Sequence, residues 1–280
     1  MRQSLENLVL TLCGAITAVL VASLMFWVEQ SFQLSLYSWT FWFILPVGAG
    51  LTGFAATSGF WIGSKFLHYR IRSFLWLQTL VVALGSYVLI QFLGYWNARF
   101  GEIPLHSVIS FGQYLNLEIQ ASTLTFNLHG HSLGTSGEMG LWGYAHSLLQ
   151  LVGFALGATM VYFLIVDMPA CEACNRYLKV FDKTTRFTAD PTAWESLQRA
   201  LGQFALSQDI GQAQDAHAAF GSSEAAPEAV LRAAFTRYRC PDCQAEHFRL
   251  ATSNRPKGKK WEEAIEVRVD SAKPVAKEAG

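Results

Sequence analysis

Charge is what the first 166 residues lack. Of 21 acidic residues, only Glu6, Glu29, Glu102, Glu118 and Glu138 precede Asp167, and of 21 basic ones only Arg2, Lys65, Arg70, Arg72 and Arg99 do. Soluble domains carry about 25% charged residues, so a stretch this neutral reads as membrane-embedded, with the lipid bilayer as its first partner. The formal net charge of the whole chain is +0. That excludes a general electrostatic binder of nucleic acid. Also missing are a phosphate-binding Walker loop, a dinucleotide fingerprint, a nucleophile elbow and an H-E-x-x-H helix. No catalytic residue and no organic cofactor is assigned, and an enzyme is not the favoured reading. Cysteine is sparse. Cys13 stands alone in the first apolar run, as a small buried residue, and the other four form two C-x-x-C pairs.

A helix needs about 20 mostly apolar residues to cross a bilayer. Four runs qualify: 8–28, 39–63, 74–96 and 144–166. The first is too long, and too weakly basic ahead of it, for a cleaved signal peptide, and reads as a retained anchor. Lys and Arg in the short connections set the orientation. The first loop (29–38) has none, the second has Lys65, Arg70 and Arg72, and the third (97–143) has only Arg99. After the fourth run come Arg176, Lys179, Lys183 and Arg186. Both termini are therefore expected in the cytoplasm and the segment 97–143 outside.

None of the four runs holds Asp, Glu, Lys or Arg. Ionisable groups inside a membrane mark proton relays and ion paths, so their absence argues against a proton pump or an ion-coupled transporter. The polar residues that remain include Gln78, Ser86 and Gln91 in the third run, and His146, Ser147 and Gln150 in the fourth. His146 and Gln150 share a helix face; they would serve as an interhelical hydrogen bond or as a polar mouth. Gly59-x-x-x-Gly63 and Gly153-x-x-x-Gly157 offer small-residue faces for close helix approach. Packing within one chain is the simpler use, and a homo-oligomer is the other.

In the outer segment, Pro104 and the spacing of Val108, Phe111, Leu115 and Ile119 predict an amphipathic helix. Alternation at Leu124, Phe126 and Leu128 predicts a short strand, followed by a Gly/Ser-rich loop. His106, His129, His131 and His146 lie in or beside this segment. Histidine suits several transition metals, but this spacing points to no particular site.

The last 114 residues hold 16 acidic and 16 basic side chains and read as a soluble domain. The segment after Cys174 predicts short strands. Asp190-Pro191 predicts a helix start, with Trp194, Leu197, Leu201 and Phe204 on one face of a helix over about 191–206. A weaker helix is expected near residues 207–221 and a short one over "PEAVLRAAF". "EHFRLATS" and "WEEAIEVRVD" predict strands joined by "NRPKGKK".

The pairs are Cys171/Cys174 in "PACEAC" and Cys240/Cys243 in "CPDC", 65 residues apart (175–239). Each tight C-x-x-C turn supplies two thiolates, and four complete a tetrahedral zinc site. Thiol–disulfide exchange is the rival. It is opposed by the reducing cytoplasm, by the lack of a strand-CxxC-helix pattern, and by the lack of an outer cysteine to exchange with. Over about residues 169–187 and 237–270 the chain resembles a zinc ribbon. That resemblance implies one structural zinc held by Cys171, Cys174, Cys240 and Cys243 between two β-hairpins. It fixes no function, because ribbons serve both nucleic-acid and protein recognition.

The expected fold is an α-helical membrane protein. A four-helix transmembrane bundle (1–166) precedes a cytoplasmic α+β zinc-ribbon-like domain (167–270) with a helical insertion at about 190–236; residues 271–280 are expected to be disordered. Only four residues separate the fourth run from Cys171, so the domain is expected close to the membrane. The expected role is a non-enzymatic anchor or adaptor that contacts a cytoplasmic protein partner. Alternatives are a transport or channel component regulated by the zinc domain, and a membrane thiol-disulfide oxidoreductase.

Overall fold

The computed structural model describes residues 2–32, 35–38, 46–70, 74–128, 131–190, 192–193, 195–197, 199, 210–224, 228–255 and 262–270; for 123–136 and 262–270 it describes the backbone only. The chain divides into two compact units, Met1–Met168 and Pro169–Gly280.

The first unit is built on four long helices: α1 (Arg2–Phe32), α2 (Val47–Leu67), α3 (Leu75–Asn97) and, after the segment 98–141, α5 (Trp142–Val166). Three helical segments, Ser4–Phe32, Leu75–Asn97 and Trp142–Val166, are long and apolar enough to cross a membrane. The second apolar run begins outside the described residues, at 39–45, and its helix α2 starts only after Pro46. Proline is well placed there, because the first N–H groups of a helix have no intrahelical partner.

α2 packs against α1, α3 and α5. Its small residues make that possible. A Cβ added at Gly157 of α5 would stand 2.2 Å from the Gly50 carbonyl oxygen, and one at Gly59 would stand 2.2 Å from that of Cys13. Thr17 of α1 donates to the Ala56 carbonyl at 2.8 Å and accepts from the Gly59 N–H at 3.2 Å. The two glycine motifs are thus used in packing within the chain. Ala22, Ala49, Tyr87, Ile90 and Phe154 form a core of the bundle, while Leu12, Ile16, Val81, Leu156 and Phe163 face outward. An apolar surface of that kind suits lipid.

The segment between α3 and α5 starts with a small ladder of β1 (Arg99–Phe100) and β2 (Ile103–Pro104). Its amphipathic helix, α4, runs Phe111–Ala121. It starts later than Pro104 suggests. Ser110 accepts from the Gln113 N–H while the Gln113 side chain accepts from the Ser110 N–H, a reciprocal cap that fixes the start. α4 packs against α3 and α5, with Phe111 and Tyr114 on Tyr95. After it, β3 (Thr123–Leu128) pairs with β4 (His131–Glu138). The expected Gly/Ser-rich loop is therefore mostly a second strand: backbone pairing to β3 overrides weak intrinsic preference.

The second unit opens with β5 (Ala170–Cys171) and β6 (Arg176–Tyr177), a two-stranded ladder. An antiparallel four-stranded sheet follows in the order β10-β9-β8-β7, made of β7 (Lys179–Thr188), β8 (Leu231–Arg239), β9 (Glu246–Asn254) and β10 (Glu262–Asp270). "PEAVLRAAF" is not a helix; from Leu231 it is β8. Its alanines favour a helix in isolation. In place, Ala233 and Phe235 point into the core while the backbone pairs on both sides with β7 and β9. Tertiary pairing decides the outcome.

Between β7 and β8 the described residues include two helical stretches, and Ser222 makes a single bridge back to Phe187. Residues 193, 195–197 and 199 are helical, and the rest of the expected helix 191–206, including Trp194, Leu201 and Phe204, lies outside the described residues. Asp190 accepts from the Thr192 N–H at 2.8 Å, as an N-cap does. α6 (Ile210–Ala219) follows. Leu197 and Phe220 pack on Phe235, Phe248 and Leu250 of the sheet. His217 stacks on Phe235, and its Nε2 lies 3.0 Å from the Ala233 carbonyl oxygen. Residues 256–261, which include Lys257, Lys259 and Lys260, and residues 271–280 lie outside the described residues.

Candidate metal centre

The four cysteines are brought together by strand register. Cys171 ends β5, and Cys174 lies in the turn to β6. Cys240 and Cys243 lie in the turn between β8 and β9. Lys179, at the start of β7, pairs with Arg239, the residue before Cys240. The β7–β8 pairing therefore closes the 65-residue gap and sets one turn beside the other.

The two turns share a backbone plan. The residue after each second cysteine, Asn175 and Gln244, has a positive φ, of 53° and 61°. Such a conformation suits glycine and is tolerated by asparagine, but it is costly for glutamine. Here it turns each C-x-x-C segment back on itself. In the second turn the Gln244 N–H donates to the Cys240 carbonyl at 3.1 Å, and the Cys240 N–H donates to the Ala245 carbonyl at 2.9 Å.

The four sulfurs lie within 4.8 Å of one another, and Cys171 Sγ is 3.8 Å from Cys243 Sγ. A tetrahedron of ~2.3 Å metal–sulfur bonds has sulfur–sulfur edges of about 3.8 Å. A disulfide would need about 2.0 Å, and all four thiols are free. Cys171 and Cys240 are buried; Cys174 and Cys243 are half-buried. Leu178, Tyr238 and Ala245 pack around them. These four residues could hold a metal ion.

The thiols do not titrate alike. Burial, then hydrogen bonds with Cys243 and Cys240, push Cys174 up to about 12. Burial also raises Cys240. At Cys243 burial works upward, but the Ala245 backbone and the three neighbouring thiols outweigh it and hold it below its ordinary value. Protons crowded onto four converging sulfurs are what a bound cation would displace.

One ion pair joins the two turns, and reading the sequence missed it. Arg176, just after the first turn, donates from Nε to Asp242 of the second at 2.9 Å, and the Arg176 side chain is 6% exposed. Its charge stands beside the cysteines, where it would offset the negative charge of four metal-bound thiolates. The signal was present in the sequence as a base after one pair and an acid inside the other. At the base of the second turn, Glu246 accepts from Arg237 and Arg239, both at 2.7 Å, and Arg239 covers the Phe181 ring at 3.8 Å. Burial works upward on Glu246, but the two guanidiniums outweigh it and hold the carboxyl below its ordinary range.

Among the described residues, His106 and His146 belong to no comparable cluster. His106 stacks on Trp96 at 4.5 Å, His146 contacts Gln150 at 3.0 Å, and His129 lies outside the described residues, as does the side chain of His131. Among the described residues, only the four cysteines converge closely enough to ligate a metal ion. No protein-family description, no curated protein and no solved structure matches this chain.

Proposed function

We propose that Cys171, Cys174, Cys240 and Cys243 bind one structural zinc ion, and that the zinc-clasped unit is a cytoplasmic recruitment domain on a four-span membrane anchor. The observation that carries this reading is the convergence of four thiols from two matching turns, at a sulfur spacing suited to zinc. Zinc is the ion we favour because four converging thiols from two C-x-x-C turns are a usual donor set of structural zinc; iron is the other ion that such an all-sulfur set suits. The zinc-ribbon resemblance is compatible with this placement. The helical segment between β7 and β8 serves as an insertion that builds a core on one sheet face.

The fourth span is α2. Its 21 residues extend about 31 Å at ~1.5 Å per residue, enough for the hydrocarbon core. Its glycine, serine and threonine content lowers its hydropathy, and its contacts with three other helices suit a central position in a bundle. Even span number and the lysine and arginine distribution favour cytoplasmic termini.

A membrane thiol oxidoreductase is the weaker reading, since each C-x-x-C pair lies in a turn between two strands and neither opens a helix, as the pair of a thioredoxin-like site does. A protein partner fits a domain with no assigned catalytic group. The sheet face opposite the core forms a hollow of ≈ 340 Å³ lined by Lys183, Arg232, Tyr238 and Arg249, and this is where we place that partner. The test is affinity capture of the full chain from membranes, compared with the Cys171→Ser/Cys240→Ser variant and with Arg249→Glu. Both variants should lose the same partner. Equal recovery of that partner by all three proteins contradicts the recruitment role.

A further inference from the structure

The membrane unit contains a polar cavity of ≈ 380 Å³ bounded by α1, α3, α4 and α5. Glu29 of α1 and Glu118 of α4 line it, with His146, Ser147 and Gln150 of α5 and Gln91 of α3. Among the described residues, no lysine or arginine lines it. The size suits a small molecule, and the polarity is unlike the rest of the bundle.

The lining is organised by hydrogen bonds. Tyr87 Oη donates to Gln150 Oε1 at 3.5 Å and pairs with Ser147 Oγ at 2.9 Å. That leaves the Gln150 amide nitrogen to donate to His146 Nε2, 3.0 Å away. His146 Nε2 then accepts, which places its proton on Nδ1 and leaves the ring neutral. Gln91, with its amide nitrogen turned toward the acceptor, donates to both Glu118 carboxylate oxygens at 3.1 and 3.2 Å. Gln91 and Gln150 are 7% and 6% exposed, so both are fixed parts of the wall. Neutral donors thus hold Glu118 in place without neutralising it. Burial raises the Glu118 carboxyl above its ordinary range; a hydrogen bond with Tyr114 offsets this in part, and nearby Glu29 adds to it. A half-buried carboxylate with no cationic neighbour among the described residues is costly.

We infer that this cavity binds a small organic cation through a primary ammonium group, with Glu118 and Glu29 as its counter-charges and the Gln91–Gln150–His146 wall accepting or donating to its polar remainder. A bare metal ion is a poorer match, because the carboxylates and His146 do not converge within ligating range of one another. An ammonium group supplies three N–H donors on a tetrahedral centre and tolerates acceptors spread around a larger space. The ammonium could come from a free amine or from an aminophospholipid headgroup. The inference does not depend on the zinc reading, since no cysteine lines the cavity.

The test is calorimetric titration of the full chain in phosphatidylcholine nanodiscs at about pH 8, where carboxylates are ionised and amines are protonated. Ethanolamine is the probe, and ethylene glycol is its neutral isostere. Ethanolamine should bind and ethylene glycol should not. Glu118→Gln should weaken ethanolamine by roughly tenfold or more. Glu29→Gln should weaken it as well, and it serves as the test if Glu118→Gln fails to fold. Repeating the titration in nanodiscs containing phosphatidylethanolamine separates the sources: reduced apparent affinity identifies the headgroup as a competing ligand, and unchanged affinity identifies the free amine. Equal response to both probes, ethanolamine binding that survives both substitutions, or binding of calcium with no response to ethanolamine would overturn the inference.

Discussion

Asn175 and Gln244 carry the sharpest residue-scale consequence. Each sits at a positive φ after a cysteine pair; asparagine tolerates that conformation, whereas the glutamine side chain costs about 1 kcal/mol or more there. Gln244→Gly should therefore raise the stability of the second unit by about 0.5–1 kcal/mol, read as a higher denaturant midpoint at unchanged slope. A loss of stability would show that the Gln244 side chain, which donates to the Pro241 carbonyl at 3.1 Å, outweighs the backbone strain. The four cysteines were legible from spacing alone, because C-x-x-C reports its own geometry. Arg176–Asp242 was not, because an ion pair across two turns exists only once β7 and β8 have paired. His217 supplies a second prediction. Burial lowers it below its ordinary value of 6.5; the Ala233 carbonyl and Asp182 work upward, and Arg186 works downward. The unfolded chain therefore takes up the proton first. The contribution is complete above pH 6.5 and falls as pH drops through the lower folded-state value. Urea unfolding at neutral and mildly acid pH should show this loss, and His217→Gln should remove the part that is not metal release. An unchanged acid loss in the variant would contradict the assignment.

At the scale of elements, the length of the apolar runs found the long helices well. Apolar runs announce α1, α3 and α5 through composition alone. Sequence pattern did worse wherever backbone pairing decides the outcome. β8 reads as helical because of its alanines, and β4 reads as a loop because of its glycines and serines, yet both are strands with partners. The polar cavity escaped for a related reason. Glu29 falls just beyond the first apolar run, and Glu118 sits in the outer segment, so neither counts as intramembrane by sequence; only the extension of α1 to Phe32 and the packing of α4 bring them together. Helix packing yields its own prediction. A methyl at Gly157 meets the α2 backbone at 2.2 and 2.4 Å, whereas one at Gly85 meets nothing within 4 Å. Gly157→Ala should destabilise the membrane unit by about 1–3 kcal/mol. Gly85→Ala should leave it unchanged or stabilise it by up to about 1 kcal/mol. Thermal unfolding in detergent compares the two, and similar midpoints would contradict the close α2–α5 approach.

For the whole molecule, the proposal joins two kinds of solvent in one chain: a bundle that turns leucine and phenylalanine outward, and a small sheet domain whose metal supplements a modest core. Topology is the part most exposed to test. In intact membranes, Cys171 and Cys174 should react with membrane-impermeant thiol reagents only from the cytoplasmic side, and only after metal is chelated. Reaction from the outer side would reverse the orientation.

The central claim is the zinc clasp. The most direct measurement is metal content by mass spectrometry of the full chain purified in detergent without added metal, beside the Cys171→Ser/Cys240→Ser variant. The account predicts about one zinc per chain in the natural sequence and none in the variant, with chelation unfolding the second unit, because binding at such sites is worth about 10 kcal/mol or more. A natural chain free of metal, with its thiols paired as reducible disulfides, would contradict it.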